Sequence, residues 1–220
     1  ISGDIPTAVP QHREGYVGAL AESATPGGAF SGATTIPFAN AWAIGLRGGA
    51  RRAAPLRVGG GGLLDNTQAR NANGIASVGY VGGRGSAGLS VASYGFTYGL
   101  PVAPSNTERS HITGSRQTFT LRASTRPTHS VIEEATMEAT AQRYGHREIA
   151  DDGAVGTRFQ LGTQTLSVTT QTRLGRVRGR VGAQGLSKQY VAAGEEALTP
   201  AANTVSGGAF VYQEWPLTRG

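Results

Sequence analysis

The sequence predicts an all-β protein whose strands follow one another in antiparallel, up-and-down order. Glycine (34 residues) and proline (10 residues) make up one residue in five of the 220, and glycine lowers helix stability wherever it occurs. A helical bundle is therefore disfavoured. The hydrophobic residues, 38% of the chain, come in short runs that alternate with small or polar residues, which is the period-two pattern of strands and argues against disorder.

About ten segments show this alternation. Trp42, Ile44 and Leu46 share one face of residues 41–49, and small residues with Arg47 occupy the other face. The other predicted strands are, in chain order, residues 15–22, 29–36, 73–82, 86–93, 117–126, 131–142, 166–172, 176–181 and 207–214. Their spacing along the chain is wider than that of the short strands of a soluble sandwich.

One segment, residues 131–144, admits a second interpretation. Glu, Ala and Met are good helix formers, and the segment is long enough for about four helical turns. Its polar positions alternate, as those of the neighbouring segments do, so we predict a strand and keep the helix as the alternative.

The connections between the predicted strands alternate in length. Short turns fall at residues 37–40, 82–85, 127–130 and 174–175, and long polar or glycine-rich loops fall at residues 50–72, 94–116, 143–156 and 190–204. Long loops at one end, short turns at the other and strands of weak hydrophobicity are typical of outer-membrane β-barrels. The sequence therefore predicts a transmembrane β-barrel segment of about ten strands.

Composition excludes several other classes of protein. The chain has no cysteine, so neither disulfides nor thiolate-bound metal ions stabilise it. No apolar stretch approaches the ~20 residues of a membrane-spanning helix, so a membrane role would fall to strands. The net charge of +6 is carried by arginine, with Lys188 as the single lysine. Because the arginines are dispersed rather than gathered in a basic stripe, we expect no nucleic-acid partner.

Three segments resemble, in the same order, parts of the TonB-dependent outer-membrane receptors. ISGDIP at residues 1–6 resembles the junction between plug and barrel, and YGFTYGLP at residues 94–101 is similar to the Tyr-Gly-Ile-Pro loop after an early hairpin. GEEALTP at residues 194–200 and GAFVYQE at residues 208–214 are similar to a later loop and strand. The resemblance implies a plug-to-barrel junction over residues 1–14 and a partial barrel domain over 15–220.

The resemblance also implies a function. Such receptors are 22-stranded barrels with an N-terminal plug, and they take up an iron chelate, cobalamin, sugar or peptide with energy from the TonB complex. The implied location is the outer membrane of a Gram-negative bacterium. The implied partners are membrane lipid, the plug and remaining strands, a small-molecule or chelate substrate and, through the full-length receptor, the TonB complex. We expect no signal peptide, plug or TonB-box segment before Ile1, and we therefore expect an early portion of the barrel.

Candidate ligand contacts lie in two of the predicted loops. They are Tyr94, Phe96, Tyr98, Arg143, His146, Asp151 and Asp152. His146 with the two aspartates would bind a cation or transfer a proton, and a solvated polar loop is the alternative. No histidine has the spacing of a metal motif. We therefore expect no metal, no cofactor, no catalytic residue and no enzymatic activity.

Two further groups of residues have alternative roles. Arg176, Arg178 and Arg180 alternate with small residues; we predict that they face the barrel lumen, since arginine facing lipid at mid-depth costs about 2–4 kcal/mol, and an RG-type nucleic-acid motif is the alternative. The aromatic residues Trp42, Tyr80, Tyr16 and Trp215 suit an interfacial girdle or ligand stacking.

Two other classes of function remain open from the sequence alone. One is a self-contained ten-stranded outer-membrane barrel enzyme, such as a surface protease. The other is a soluble β-rich viral or adhesin protein, because strands rich in Gly, Thr and Ala also occur there. Detergent dependence would separate the soluble class from the two membrane classes.

Overall fold

The computed structural model describes residues 5–102, 108–128, 131–194 and 197–216. These residues form ten strands: β1 (Glu14–Glu22), β2 (Gly27–Ala39), β3 (Trp42–Ala53), β4 (Ala69–Gly82), β5 (Gly85–Gly99), β6 (Ser110–Thr125), β7 (Ile132–Ala150), β8 (Val155–Leu174), β9 (Val177–Gly194) and β10 (Ala202–Glu214). They make one sheet in sequence order, and every neighbouring pair is antiparallel. The predicted all-β, up-and-down order is confirmed. The described residues contain no helix long and apolar enough to cross a membrane.

The helix considered for residues 131–144 is wrong, and the predicted strand is confirmed. β7 pairs along its length with both β6 and β8. Its glutamates are placed by this pairing: Glu138 accepts a 2.9 Å hydrogen bond from Nε of Arg122 on β6, and Glu134 accepts one from Gln171 on β8. Tertiary pairing therefore overrides the helix propensity of Glu, Ala and Met.

The strands are longer and the loops shorter than predicted. The connections at one end of the sheet are residues 23–26, 54–68, 100–109, 151–154 and 195–201, and those at the other end are 40–41, 83–84, 126–131 and 175–176. The prediction of a long loop over residues 143–156 is wrong, because only residues 151–154 leave the ladder. The predicted loop at 94–116 shrinks to 100–109, since alternating residues continue the pairing of β5 with β6. We call the end with the 54–68 loop the long-loop end and the other the short-turn end.

The register sorts the strand side chains onto two faces with opposite chemistry, because directly paired residues lie on the same side of a sheet. One row of paired residues is Ile44, Val78, Leu89, Leu121, Ala139 and Leu166. The adjacent row on the opposite side is Gly45, Ser77, Ser90, Thr120, Thr140 and Thr165. We call these sides the apolar face and the polar face.

Burial is the reverse of that in a water-soluble sandwich. On the apolar face, Leu89, Leu121 and Leu166 are 44–49% exposed. On the polar face, Ser90 and Thr120 are at most 5% exposed. Ile5 and Ala43 are the hydrophobic residues that the described part of the chain buries, so no described layer of protein covers the apolar face.

The chain before β1 crosses the polar face. Ile5 is buried, and its side chain lies against Gly88. The carbonyl oxygen of Pro6 lies 2.5 Å from the position that a Cβ on Gly79 would occupy. We call Ile5 and Pro6 the N-terminal strap. β1 begins at Glu14, next to the predicted domain boundary, and residues 1–4 of the predicted junction lie outside the described residues.

Replacing Gly79 with alanine should displace the N-terminal strap, because Pro6 supplies all three of the closest atoms to the new Cβ. Gly74→Ala is the matched control: it lies on the same strand and has no atom within 4 Å of a Cβ. We expect hydrogen–deuterium exchange of residues 5–13 to become at least about tenfold faster in G79A only. Unchanged exchange in G79A would show that the strap is not held where the structure has it.

Candidate functional site

Six aromatic side chains meet on the polar face towards the long-loop end. They are Tyr94, Phe96, Tyr98, Tyr144, His146 and Phe159, which we call the aromatic cluster. The ring of His146 stacks on Phe159 with centroids 4.4 Å apart, and Phe96 stacks on Tyr98 and Tyr144 at 5.9 and 6.3 Å. Ring contacts therefore join β5, β7 and β8.

Strand periodicity and register build this cluster. Tyr94, Phe96 and Tyr98 occupy alternate positions of β5, so all three point to one side. Phe96 pairs with Gly114 on β6, which pairs with His146 on β7. A Cβ on Gly114 would lie 2.6 Å from Cζ of Phe96 and 2.8 Å from Cβ of His146. The missing side chain of Gly114 is what allows the rings of β5 and β7 to meet across β6.

Polar groups border the cluster. The guanidinium carbon of Arg116 lies 5.6 Å from the ring centroid of Tyr94, a cation–π distance. Nδ1 of His146 and Oγ1 of Thr157 are buried and have no hydrogen-bond partner among the described residues. Buried polar atoms are normally paired, so these two are exceptions to that rule. The flat rings with Arg116 beside them suit a planar or ring-containing ligand with some negative charge.

The predicted loop positions of five candidate residues are wrong. Tyr94, Phe96 and Tyr98 lie on β5, and Arg143 and His146 lie on β7. Four of the five converge in the aromatic cluster. Arg143 does not, because its position differs from that of His146 by an odd number of residues, and it therefore lies on the apolar face.

Asp151 and Asp152 are separate from the cluster. They lie in the exposed turn between β7 and β8, where Oδ1 of Asp152 accepts a 2.8 Å hydrogen bond from the backbone N–H of Ala154. Gly153 completes this turn with φ of +85°. No described hydrogen bond or ion pair joins either aspartate to His146. Asp152 thus has a local structural role in the turn.

The three arginines predicted to line one wall divide between a turn and a strand. Arg178 and Arg180 lie on β9 on the polar face, paired with Glu214 and Tyr212 of β10. Arg176 lies in the turn between β8 and β9, so its prediction as a wall residue is wrong. The predicted alternation agrees with β9, but the predicted strand begins one residue too early, at Arg176.

The aromatic residues expected in a girdle also divide. Trp42 and Tyr80 pair on the apolar face at the short-turn end with ring centroids 5.2 Å apart, and Phe38 lies 6.1 Å from Trp42. Tyr16 lies on the polar face of β1, and Trp215 follows β10. Trp42, Tyr80 and Phe38 thus form an aromatic group at one edge of the apolar face.

Sequence reasoning missed Arg116, Tyr144, Phe159 and Thr157, together with the gap at Gly114. The spacing Tyr94-x-Phe96-x-Tyr98 and Tyr144-x-His146 is a signal of strands, although the predicted loops at residues 94–116 and 143–156 include both runs. Whether these runs lie side by side depends on the register between the strands. A single sequence does not determine that register. No group of three or more His, Asp or Glu residues that could hold a metal ion occurs in the described ranges.

Comparison of the chain with protein-family models and with curated proteins gives no match. The geometry of the two faces and of the aromatic cluster therefore carries the argument on function.

Replacing Gly114 with alanine should break the ring stack, because the new Cβ meets Phe96, His146 and the carbonyl oxygen of Gly145 within 2.8 Å. We expect a loss of the near-UV circular dichroism of the tyrosines and a destabilisation of about 1–3 kcal/mol, typical of overpacking. Gly185→Ala on β9, which has no atom within 4 Å, is the control. Equal spectra and unfolding midpoints for the two variants would refute this role of Gly114.

Proposed function

We propose that this chain is part of a TonB-dependent outer-membrane receptor that takes up a scarce small molecule or chelate. The observation that carries the proposal is the exposed apolar face of a ten-stranded up-and-down sheet whose opposite face is polar. Strands that alternate apolar outside and polar inside are the pattern of membrane barrels. In water, an exposed apolar surface of this extent would favour association.

The height of the apolar face on β3 and β4 supports the proposal. Ten residues of β3 separate Trp42 from Arg52, which is about 33 Å along a strand. A strand tilt of about 40° reduces this to about 25 Å, the height of the apolar band of outer-membrane barrels. Between these two residues the apolar face of β3 carries only Ile44, Leu46, Gly48 and Ala50. The aromatic pair Trp42 and Tyr80 then lies at one interface, where such girdles occur.

The polar face suits a barrel lumen. It carries the ion pair between Arg122 and Glu138 and the 2.6 Å pair between Arg51 and Glu22. The N-terminal strap crosses the same face, as expected for a chain that enters the barrel from an internal plug. Arg178 and Arg180 would face this lumen.

The two edge strands of the sheet, β1 and β10, indicate which further parts of the receptor are needed. In the described residues β1 pairs only with β2, and β10 pairs only with β9. An unpaired backbone group in lipid costs several kcal/mol. We propose that the remaining strands of the barrel pair with both edges and that the plug fills the lumen. The TonB complex would act through the full-length receptor.

The aromatic cluster is the proposed part of the substrate path within this chain. It lies on the lumen side towards the long-loop end, where the longest loop of the chain, residues 54–68, also emerges. Stacking surfaces with Arg116 beside them suit an iron chelate with aromatic rings, the corrin ring of cobalamin or a sugar ring. We assign no catalytic step to these residues.

Single cysteines offer a direct test of membrane insertion, because the chain contains none. We compare Phe119→Cys and Leu166→Cys on the apolar face with their neighbours Thr118→Cys and Thr165→Cys on the polar face. Each carries an environment-sensitive fluorophore in phosphatidylcholine vesicles. We expect brominated lipid to quench the first two labels and aqueous iodide to quench the second two, since successive side chains point to opposite faces. The same response from adjacent positions would contradict insertion.

Phe96→Ala should weaken substrate binding by up to about tenfold, since an aromatic contact contributes roughly 0.5–1.5 kcal/mol. The matched control is Phe119→Ala, on the apolar face of β6, which should bind as the unaltered protein does. Binding of a ferric catecholate, cobalamin and a malto-oligosaccharide is measured by titration calorimetry on reconstituted protein. Equal loss in both variants, or no binding of any of the three ligands by the unaltered protein, would count against this substrate path.

A further inference from the structure

Four arginines on the apolar face lie in one row across the sheet. Arg52 pairs with Arg70, Arg70 with Thr97, Thr97 with Thr113, Thr113 with Arg147, and Arg147 with Arg158. Two arginine pairs thus flank a pair of threonines, whose hydroxyls lie 3.1 Å apart. We call these six residues the arginine row.

The arginine row has no acidic partner in the structure. All four guanidinium groups are exposed, and no ion pair or hydrogen bond of theirs occurs within the described residues. Six strand glutamates, Glu14, Glu22, Glu134, Glu138, Glu148 and Glu214, lie on the polar face, and Glu133, at the register shift near the start of β7, pairs with Arg173. Like charges that directly face each other across two strands are destabilising. An anion from outside the chain would relieve this repulsion in both arginine pairs.

Two recesses lie beside the row. One, of about 520 Å³, is bordered by Arg70, Thr97 and Thr113, and most of its lining residues are on the apolar face. The other, of about 460 Å³, is bordered by Thr113, Arg147 and Arg158. The first combines one guanidinium group, and the second two, with threonine hydroxyls. Planar guanidinium groups bind phosphate through two parallel hydrogen bonds, and hydroxyls add a further donor.

We propose that the arginine row binds the phosphate groups of anionic lipid headgroups at the long-loop end of the membrane. This inference rests on the proposed insertion of the apolar face into lipid. On β3 and β4 the row forms the edge of that face: below Arg52 and Arg70 come the paired residues Ala50 and Ala72, and then Gly48 and Gly74. Below Arg147 and Arg158 come Gly145 and Gln160, and then Arg143 and Gly162.

A lipid matches this surface better than a free anion does. Its phosphate would meet the arginines while its acyl chains extend along the apolar face towards the exposed Val91 and Phe119. A free phosphate would neutralise the arginines and leave that face exposed. The structure therefore favours a ligand that joins an anionic head to an apolar tail.

The test uses the protein in vesicles of phosphatidylcholine mixed with phosphatidylglycerol. The lipids retained after detergent extraction are counted by native mass spectrometry. We expect the unaltered protein to retain phosphatidylglycerol selectively. Retention should fall about fivefold for each arginine removed in R52Q/R70Q and in R147Q/R158Q. This factor corresponds to the attraction of one arginine by an anionic leaflet. R178Q/R180Q removes the same charge from the polar face of β9 and should retain phosphatidylglycerol as the unaltered protein does.

Further variants and probes make the outcomes decisive. R147K/R158K keeps the charge without the planar guanidinium and should retain an intermediate amount of phosphatidylglycerol. Equal loss in R178Q/R180Q would reduce the effect to net charge and overturn the proposal. Inorganic phosphate that displaces the retained phosphatidylglycerol at millimolar concentration would identify a free-anion site and overturn it too. Iodide quenching at Leu166→Cys in the same vesicles would instead refute insertion itself, whereas lipid quenching there without phosphatidylglycerol selectivity would overturn only the arginine row.

Discussion

The backbone hydrogen-bond ladder, held in one register from β1 to β10, is the constraint on which every other feature depends. The described residues have almost no hydrophobic interior, so side-chain packing cannot correct an error in pairing. A slip of β6 by one residue would move Leu121 to the polar side and Thr120 to the apolar side, together with every other side chain of that strand. Pairing with both neighbours, as in β7, is what prevents such a slip. The register shifts occur only near strand ends, at Pro37/Ala39, Ile132/Glu134 and Arg147/Ile149.

Glycine has two uses in this sheet, and both follow from the closeness of neighbouring strands. Gly79 and Gly88 make room for the N-terminal strap, and Gly114 makes room for rings that reach across β6 from either side. The high glycine content thus allows backbone and rings to lie directly on the polar face. A face built only from larger residues would hold neither the strap nor the aromatic cluster.

The fold class could be predicted from the sequence more completely than the site. Alternation alone placed Trp42, Ile44 and Leu46 on one face, and the structure agrees because a strand's faces depend only on residue parity. The same rule applied to Tyr94, Phe96 and Tyr98 would have continued β5, but nearby glycines and a proline suggested a loop. The meeting of Phe96 with His146 and Phe159 could not be predicted, since it depends on three pairings and on the gap at Gly114. Arg143 shows the converse: it is three residues from His146 in sequence, and it lies on the other side of the sheet.

The strict sequence order of the strands has a mechanical consequence. Each strand contacts only the strands before and after it in the chain, so the described strands follow one another without a crossover. A force applied to the N-terminus would first detach the N-terminal strap from Gly79 and Gly88. It would then act on the ladder between β1 and β2 and reach the later strands one at a time. Extraction would therefore proceed as a series of small, separate steps, each about the size of one strand or one hairpin, rather than as a single rupture.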